Sequence, residues 1–152
     1  MRIAFFVPGN PKALKRHRTY KGKNMKFPVE TDPSVGDKQD FLAKCMEHRP
    51  KSPFLKPLSL NCIFDFKRPK NHYNSKGFLK PNTTVWKTSR PDIDNLVKFI
   101  LDALNGIFWN DDTQVVLLSA TKSYITTGAP GVYIVVTEID EIEKIMNEDK
   151  EK

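Results

Sequence analysis

At 152 residues, 39% hydrophobic and 28% charged, the chain has the length of one domain and the composition of an ordinary globular protein rather than a disordered or fibrous one. Its apolar runs, such as Ile3 to Val7 and Ile134 to Val136, are too short to span a bilayer, and the N-terminus lacks the apolar stretch of a signal peptide, so a cytoplasmic protein with no membrane partner is expected. The net charge of +7 is uneven: eight cations and no acid precede Glu30, while seven acids face three lysines from Glu138 onward, leaving residues 1–137 at +11. A body that basic points to a polyanion, with nucleic acid as the commonest such partner and a solubilising lysine surface as the plainer alternative.

In chain order, "IAFFV" reads as a short buried strand closed by Pro8, Gly9 and Pro11. The basic stretch that follows, to Lys26, reads as a loop, so residues 1–30 form a basic strand and arm. "DPSVGDKQDFLAKCMEH" places Val35, Phe41, Leu42, Cys45 and Met46 on one helical face, with Asp32 or Ser34 as its cap and Pro50 as its stop. "LSLNCIFDF", Leu58 to Phe66, alternates apolar with mostly polar residues and predicts a strand with one strongly buried face. Residues 67–89 form a long basic loop with Tyr73, Phe78 and Trp86 interspersed. Such a loop suits phosphate contact and base stacking, or is an insertion whose aromatics tuck into the core.

A helix is predicted from about Asp94 to Asn105, with Leu96, Phe99, Ile100, Ala103, Leu104 and Ile107 as its apolar stripe and Gly106 at the left-handed position after it. Two strands follow, Gln114 to Ile125 and Gly131 to Ile139, joined by "TTGAPG" and expected to pair as an antiparallel hairpin. The acidic tail, 140–152, can form a short amphipathic helix. This order predicts a single α+β domain with a mixed sheet of about four strands and helices packed against it. Cys45 and Cys62 lack any CxxC partner, and His17, His48 and His72 are scattered, so reduced structural thiols are expected and soft-metal chemistry is not.

The carboxylates around the second helix invite a chemical reading. Asp94 has a sufficient structural explanation as an N-cap, whereas Asp92 lies outside the helix and can converge with it from an extended approach. Asp111 and Asp112 suit a turn. If Asp112 folds back toward Asp92 and Asp94, the repulsion calls for a hard cation such as Mg²⁺, which prefers carboxylate oxygens and water. Lys98 lies four residues from both Asp94 and Asp102. It either makes surface ion pairs or places an ammonium beside a phosphate. An EF-hand loop fits the spacing poorly, and of the acid-x-lysine steps a restriction-type nuclease would need, Glu148 to Lys150 lies in the tail and Asp65 to Lys67 precedes the Pro91-Asp92 step.

With those residues identified, "RPDIDNLVKFILDALNGIFWNDDTQV", Arg90 to Val115, resembles the signature of the RusA family of Holliday junction resolvases: a D-x-D-N-L-x-K block, a D-A-L, then a D-D-x-Q-V block. The resemblance implies a RusA-like fold over the whole chain and a homodimeric, Mg²⁺-dependent endonuclease, with Mn²⁺ as a substitute, that nicks four-way DNA junctions symmetrically in recombination and repair. It places metal-binding catalytic acids at Asp92, Asp94 and Asp112, an essential lysine at Lys98, and supporting acids at Asp111 and Asp102. Lys12, Lys15, Arg16, Arg18, Lys67, Arg68, Lys70, Lys87 and Arg90 are the expected DNA contacts, and Leu101, on the polar side of the helix, a candidate dimer contact. The competing readings are a DNA-binding protein in which the acids only cap and turn, and a nuclease for other branched DNA.

Overall fold

The structure, a computed structural model, describes residues 1–139. Four strands form one sheet: β1 (Arg2–Pro8), β4 (Leu58–Phe66), β5 (Val115–Tyr124) and β6 (Gly131–Glu138). Two helices, α1 (Val35–Cys45) and α2 (Ile93–Leu104), pack against it, and β2 (Arg18–Tyr20) pairs with β3 (Val29–Thr31) as a separate two-stranded ribbon. The predicted α+β class and mixed four-stranded sheet are therefore present. The tail helix expected over 140–152 lies outside the described residues.

The sheet order is β1-β6-β4-β5, antiparallel except where β4 and β5 run parallel. This overturns the expected hairpin between the last two strands. Residues 125–130 do reverse the chain, but β4 inserts between β5 and β6, where the backbone groups on both of its edges are hydrogen-bonded. All five of its odd-position apolar side chains, Leu58, Leu60, Cys62, Phe64 and Phe66, are buried. Gly131, where β6 begins, has no room for a side chain: a Cβ there would meet Phe6 Cζ at 2.3 Å and Val7 O at 2.5 Å.

The core lies between the sheet and the helices. α2 buries Leu96, Val97, Phe99, Ile100, Ala103 and Leu104, and Phe99 meets Phe41 of α1 edge-on at 5.6 Å. Burying one large apolar side chain stabilises by roughly 1.5–3 kcal/mol, against about 1 kcal/mol for a cap, so this stripe rather than its termini fixes where α2 lies. Gly106 adopts φ +75° just past the helix, as its position predicted. Cys45 and Cys62 are free and fully buried, and burial pushes both thiols up to about 12.

Three local expectations are corrected. β1 is half-buried rather than buried, because as an edge strand it turns only Phe5 and Val7 fully inward while Phe6 faces out. The N-terminal basic loop contains the β2–β3 ribbon, whose three-residue strands are too short for a periodicity to show. Ser34 is the N-cap of α1, but its hydroxyl accepts from Lys15 N at 2.8 Å instead of capping.

Candidate active site

The chain enters α2 from extended backbone at Asp92, which occupies the N-cap position while its carboxylate makes no capping bond. Asp92 O accepts the first helical bond from Leu96 N at 3.2 Å, so the helix starts one residue earlier than predicted. The roles shift along the helix: Asp92, expected outside it, is the cap residue, and Asp94, expected as the cap, lies in the first turn. Both are exposed. Among the described residues the Asp92 carboxylate has no side-chain partner, and Asp94 has only Lys98, 3.8 Å away and equally exposed. The positive end of the helix dipole stabilises both charges.

A lysine absent from the sequence-based set holds this end in place. Lys122 of β5 donates to Ser89 O at 2.9 Å and to Pro91 O at 2.8 Å, tying the segment before Asp92 to the sheet. Nothing local marks it, since its partners lie more than thirty residues away. Beside this segment, Leu14 N donates to Asn95 O at 2.9 Å, and a cleft lined by Leu14, Arg16, Arg90, Pro91, Asp92 and Asn95 opens to solvent. Arg16 and Arg90 thus flank Asp92.

Asp112 lies at the opposite end of α2, whose twelve residues span about 18 Å. It accepts from Trp109 Nε1 at 2.9 Å, which fixes its carboxylate against the buried indole. Among the described residues no group of three acidic, histidine or cysteine side chains could hold a metal ion. Asp112 therefore does not fold back beside Asp92 and Asp94 within the chain, because residues 105–111 lead into β5 at the far end of the helix. Asp111 caps the turn Asp112–Gln114 by accepting from Thr113 N at 2.8 Å, and that backbone bond lowers its pKa. Asp102 faces α1, where Lys38 Nζ is 3.5 Å away, and so stands clear of the carboxylate pair it was expected to support.

The expected DNA contacts divide. Lys12, Arg16, Arg18, Lys67, Lys70 and Arg90 are exposed, and Lys15 is exposed but paired with Asp37 at 2.8 Å. Lys87 is half-buried over the Phe66 and Tyr124 rings. Arg68 is corrected outright: it is buried and donates from Nε to Ile125 O at 2.9 Å and from an η nitrogen to Thr84 O at 2.8 Å. It anchors the 67–89 loop rather than meeting a ligand. Phe78 and Trp86 stay exposed, so the loop's aromatics do not fill the core as a passive insertion would.

Comparison with known proteins adds a decisive match. Residues 8–137 fit the family model of Endodeoxyribonuclease RusA. The chain belongs to the RusA family. It is 34% identical to the Uncharacterized protein YqaN of Bacillus subtilis (strain 168) over 148 residues, 90% of this chain and 96% of that one. It is also 36% identical to Crossover junction endodeoxyribonuclease rusA of Lactococcus phage r1t over 85 residues, 53% of this chain and 56% of the phage protein. The RusA match runs from the end of β1 into β6 and so takes in both helices and the cleft.

RusA nucleases are metal-dependent in general, and the residues here fit a hard cation better than a soft one. Asp92 and Asp94 offer exposed carboxylate oxygens, whereas both thiols are buried and the histidines are engaged elsewhere. His48 stacks on Phe5, His17 contacts Glu30, and His72 meets Arg68. One or two carboxylates, completed by water and substrate phosphate, are the usual holding of a small divalent ion.

Proposed function

We propose that this RusA-family chain is a crossover junction endodeoxyribonuclease that uses Mg²⁺ to cut four-way DNA junctions by paired nicks, acting in recombination and repair. The observation that carries this reading is the exposed Asp92 at the start of α2, flanked by Arg16 and Arg90 in one cleft, with exposed Asp94 and Lys98 in the first turns of the same helix bordering the neighbouring one. In this reading Asp92 and Asp94 hold the cation. Bound there, it would supply Lewis acidity at the scissile phosphate and activate water for attack. Arg16 and Arg90 bind flanking phosphates, and Lys98 stabilises charge developing at the phosphorus. Lys122 keeps the Asp92 segment from yielding when phosphate and cation arrive.

Asp112 joins the site through a second protomer. The first half of β5 is an open sheet edge on which Val116, Leu117 and Leu118 are exposed, and Leu118 and Ala120 border a shallow apolar cleft with Ile93, Val97 and Leu101, reaching Asp94 and Lys98. An open apolar edge of this kind invites pairing with another strand. If two β5 strands pair antiparallel about Leu118, the chain near residue 114 of one protomer faces Lys122 of the other. That brings Asp112 of the partner subunit toward Asp92. A two-fold enzyme also matches a two-fold substrate.

Incubating a synthetic mobile four-way junction with the protein and Mg²⁺ tests the reading. Symmetric, ligatable nicks are expected. Asp92→Asn is expected to abolish cutting while preserving or tightening junction binding, since it removes one cation ligand and one repulsive charge. Wild-type cutting by that variant would sink the cation-site assignment, and binding without nicks by the unaltered protein would sink the nuclease reading.

A further inference from the structure

The β2–β3 ribbon is not used by the cleavage chemistry, and its composition is unusual. Between Lys15 and Glu30 the chain carries Lys15, Arg16, Arg18, Lys21, Lys23 and Lys26 and no acid. All six residues of the two strands are exposed, so the ribbon stands off the body. A two-stranded hairpin is marginal by itself in water, and this one is held chiefly at its root. Thr31 Oγ1 donates to Arg18 O at 3.1 Å, His17 Nδ1 lies 3.0 Å from Glu30, Asp32 pairs with Lys38 at 2.6 Å, and Asp32 Oδ1 accepts from Ser34 N at 2.8 Å.

Among the lysines of the tip, three large apolar or aromatic side chains, Tyr20, Met25 and Phe27, stand exposed. The turn closes through Met25 N donating to Gly22 O at 3.0 Å. Tyr20 and Met25 converge over Gly22: a Cβ there would lie 3.4 Å from Tyr20 Cε1 and 3.6 Å from Met25 Cγ and Sδ. Yet Tyr20 is 64% exposed, Met25 42% and Phe27, two residues on in the chain, 73%. No element of the described body covers this cluster. The root of the same arm lines the cleft beside Asp92 through Leu14 and Arg16, so the ribbon leaves the body next to that cleft.

We infer that the β2–β3 ribbon is a finger that enters the branch point of the junction, its Tyr20–Met25 tip wedged against base faces opened there while Arg18, Lys21, Lys23 and Lys26 hold the surrounding phosphates. Apolar side chains such as Met enter base steps, and aromatic rings stack on exposed bases of any sequence. A linear duplex offers no opened step without the cost of unstacking, so the tip discriminates branched from unbranched DNA whereas the cations serve both. The inference rests on the resolvase reading and deepens it from chemistry to substrate selection.

The test compares the unaltered protein with a Tyr20→Ala/Met25→Ala variant, without divalent cation, on a four-way junction and on a linear duplex. Branch-point thymines are probed with permanganate, which oxidises unstacked bases. The variant is expected to lose about tenfold in junction affinity with duplex affinity unchanged, and to leave the thymines unreactive where the unaltered protein exposes them. Tyr20→Phe is expected to retain both properties. Because the substituted side chains are exposed, a thermal unfolding curve matching the unaltered protein's is expected too. A parallel loss on both DNAs, no loss on either, or undiminished permanganate reactivity overturns the finger while leaving the nuclease reading intact. If the unaltered protein neither prefers nor cuts junctions, both fall together.

Discussion

Gln114 makes four hydrogen bonds through one amide. Its Oε1 accepts from Asn110 N at 2.8 Å and from Asp111 N at 2.9 Å, and its Nε2 donates to Phe54 O at 2.9 Å and to Lys56 O at 3.1 Å. That side chain therefore ties the Asp111–Asp112 turn to the segment leading into β4. Gln114→Ala is expected to cost about 1–3 kcal/mol in denaturant unfolding, because partly buried backbone groups lose partners together. It should also lower nicking by letting Asp112 drift, whereas a loss under 0.5 kcal/mol, roughly a surface substitution's effect, would show water replacing all four bonds. The role of Gln114 was not legible in the sequence, since half of its partners lie nearly sixty residues away. Asp111 was legible as a turn residue because its partner, Thr113, is two residues on. The difference between Asp111 and Asp112 is decided by Trp109, whose buried indole N–H requires an acceptor.

Among the elements, α2 and β4 were the most legible, because each carries a strong single-period pattern over nine or more residues and packs as that pattern demands. The ribbon was not legible, since strands of three residues rich in cations carry no apolar period. Its root depends on ion pairs, which gives it a pH dependence of its own. Lys38, hydrogen-bonded to Asp32, and the Ser34 N–H hold the Asp32 carboxyl below its usual range, and Lys15 does the same for Asp37. A carboxylate whose folded pKa is depressed contributes stability above its unfolded pKa and loses it as pH falls through the folded value. The root should therefore loosen below about pH 4, the ordinary range of aspartate. Amide chemical shifts of residues 18–20 and 29–31 are expected to lose dispersion there before those of α2. Simultaneous collapse of both sets would mean the ribbon has no separate acid transition.

For the whole molecule, one chain holds Asp92 and Asp94 at one end of α2 and Asp112 at the other, and the proposed site would draw Asp112 from a second copy. If the partner subunit completes each site, two inactive variants complement one another. A heterodimer of Asp92→Asn with Asp112→Asn collects both substitutions in one site and leaves the other intact. Mixing and refolding the two is expected to restore roughly a quarter of wild-type nicking, as single nicks, because random pairing makes half the dimers mixed and each has one working site. Sites built within single protomers would give no recovery at all. The open edge of β5 is what makes this arrangement available, and the 85–87 segment, which bonds to Lys122 and Tyr124, confines it to the first half of the strand.

The sequence by itself determined the class of the fold, the two amphipathic elements that build its core, the basic body and the acidic motif, because these depend on local period, composition and short spacing. Only the tertiary structure decided that β4 separates β5 from β6, that Arg68 is buried, that Lys122 braces the Asp92 segment, and that Asp112 stands a helix length from Asp92. Each of these depends on which strands share an edge and where a side chain finds a distant backbone partner. Such choices are made by burial and hydrogen bonding across the whole sheet, and no local stretch of the chain records them.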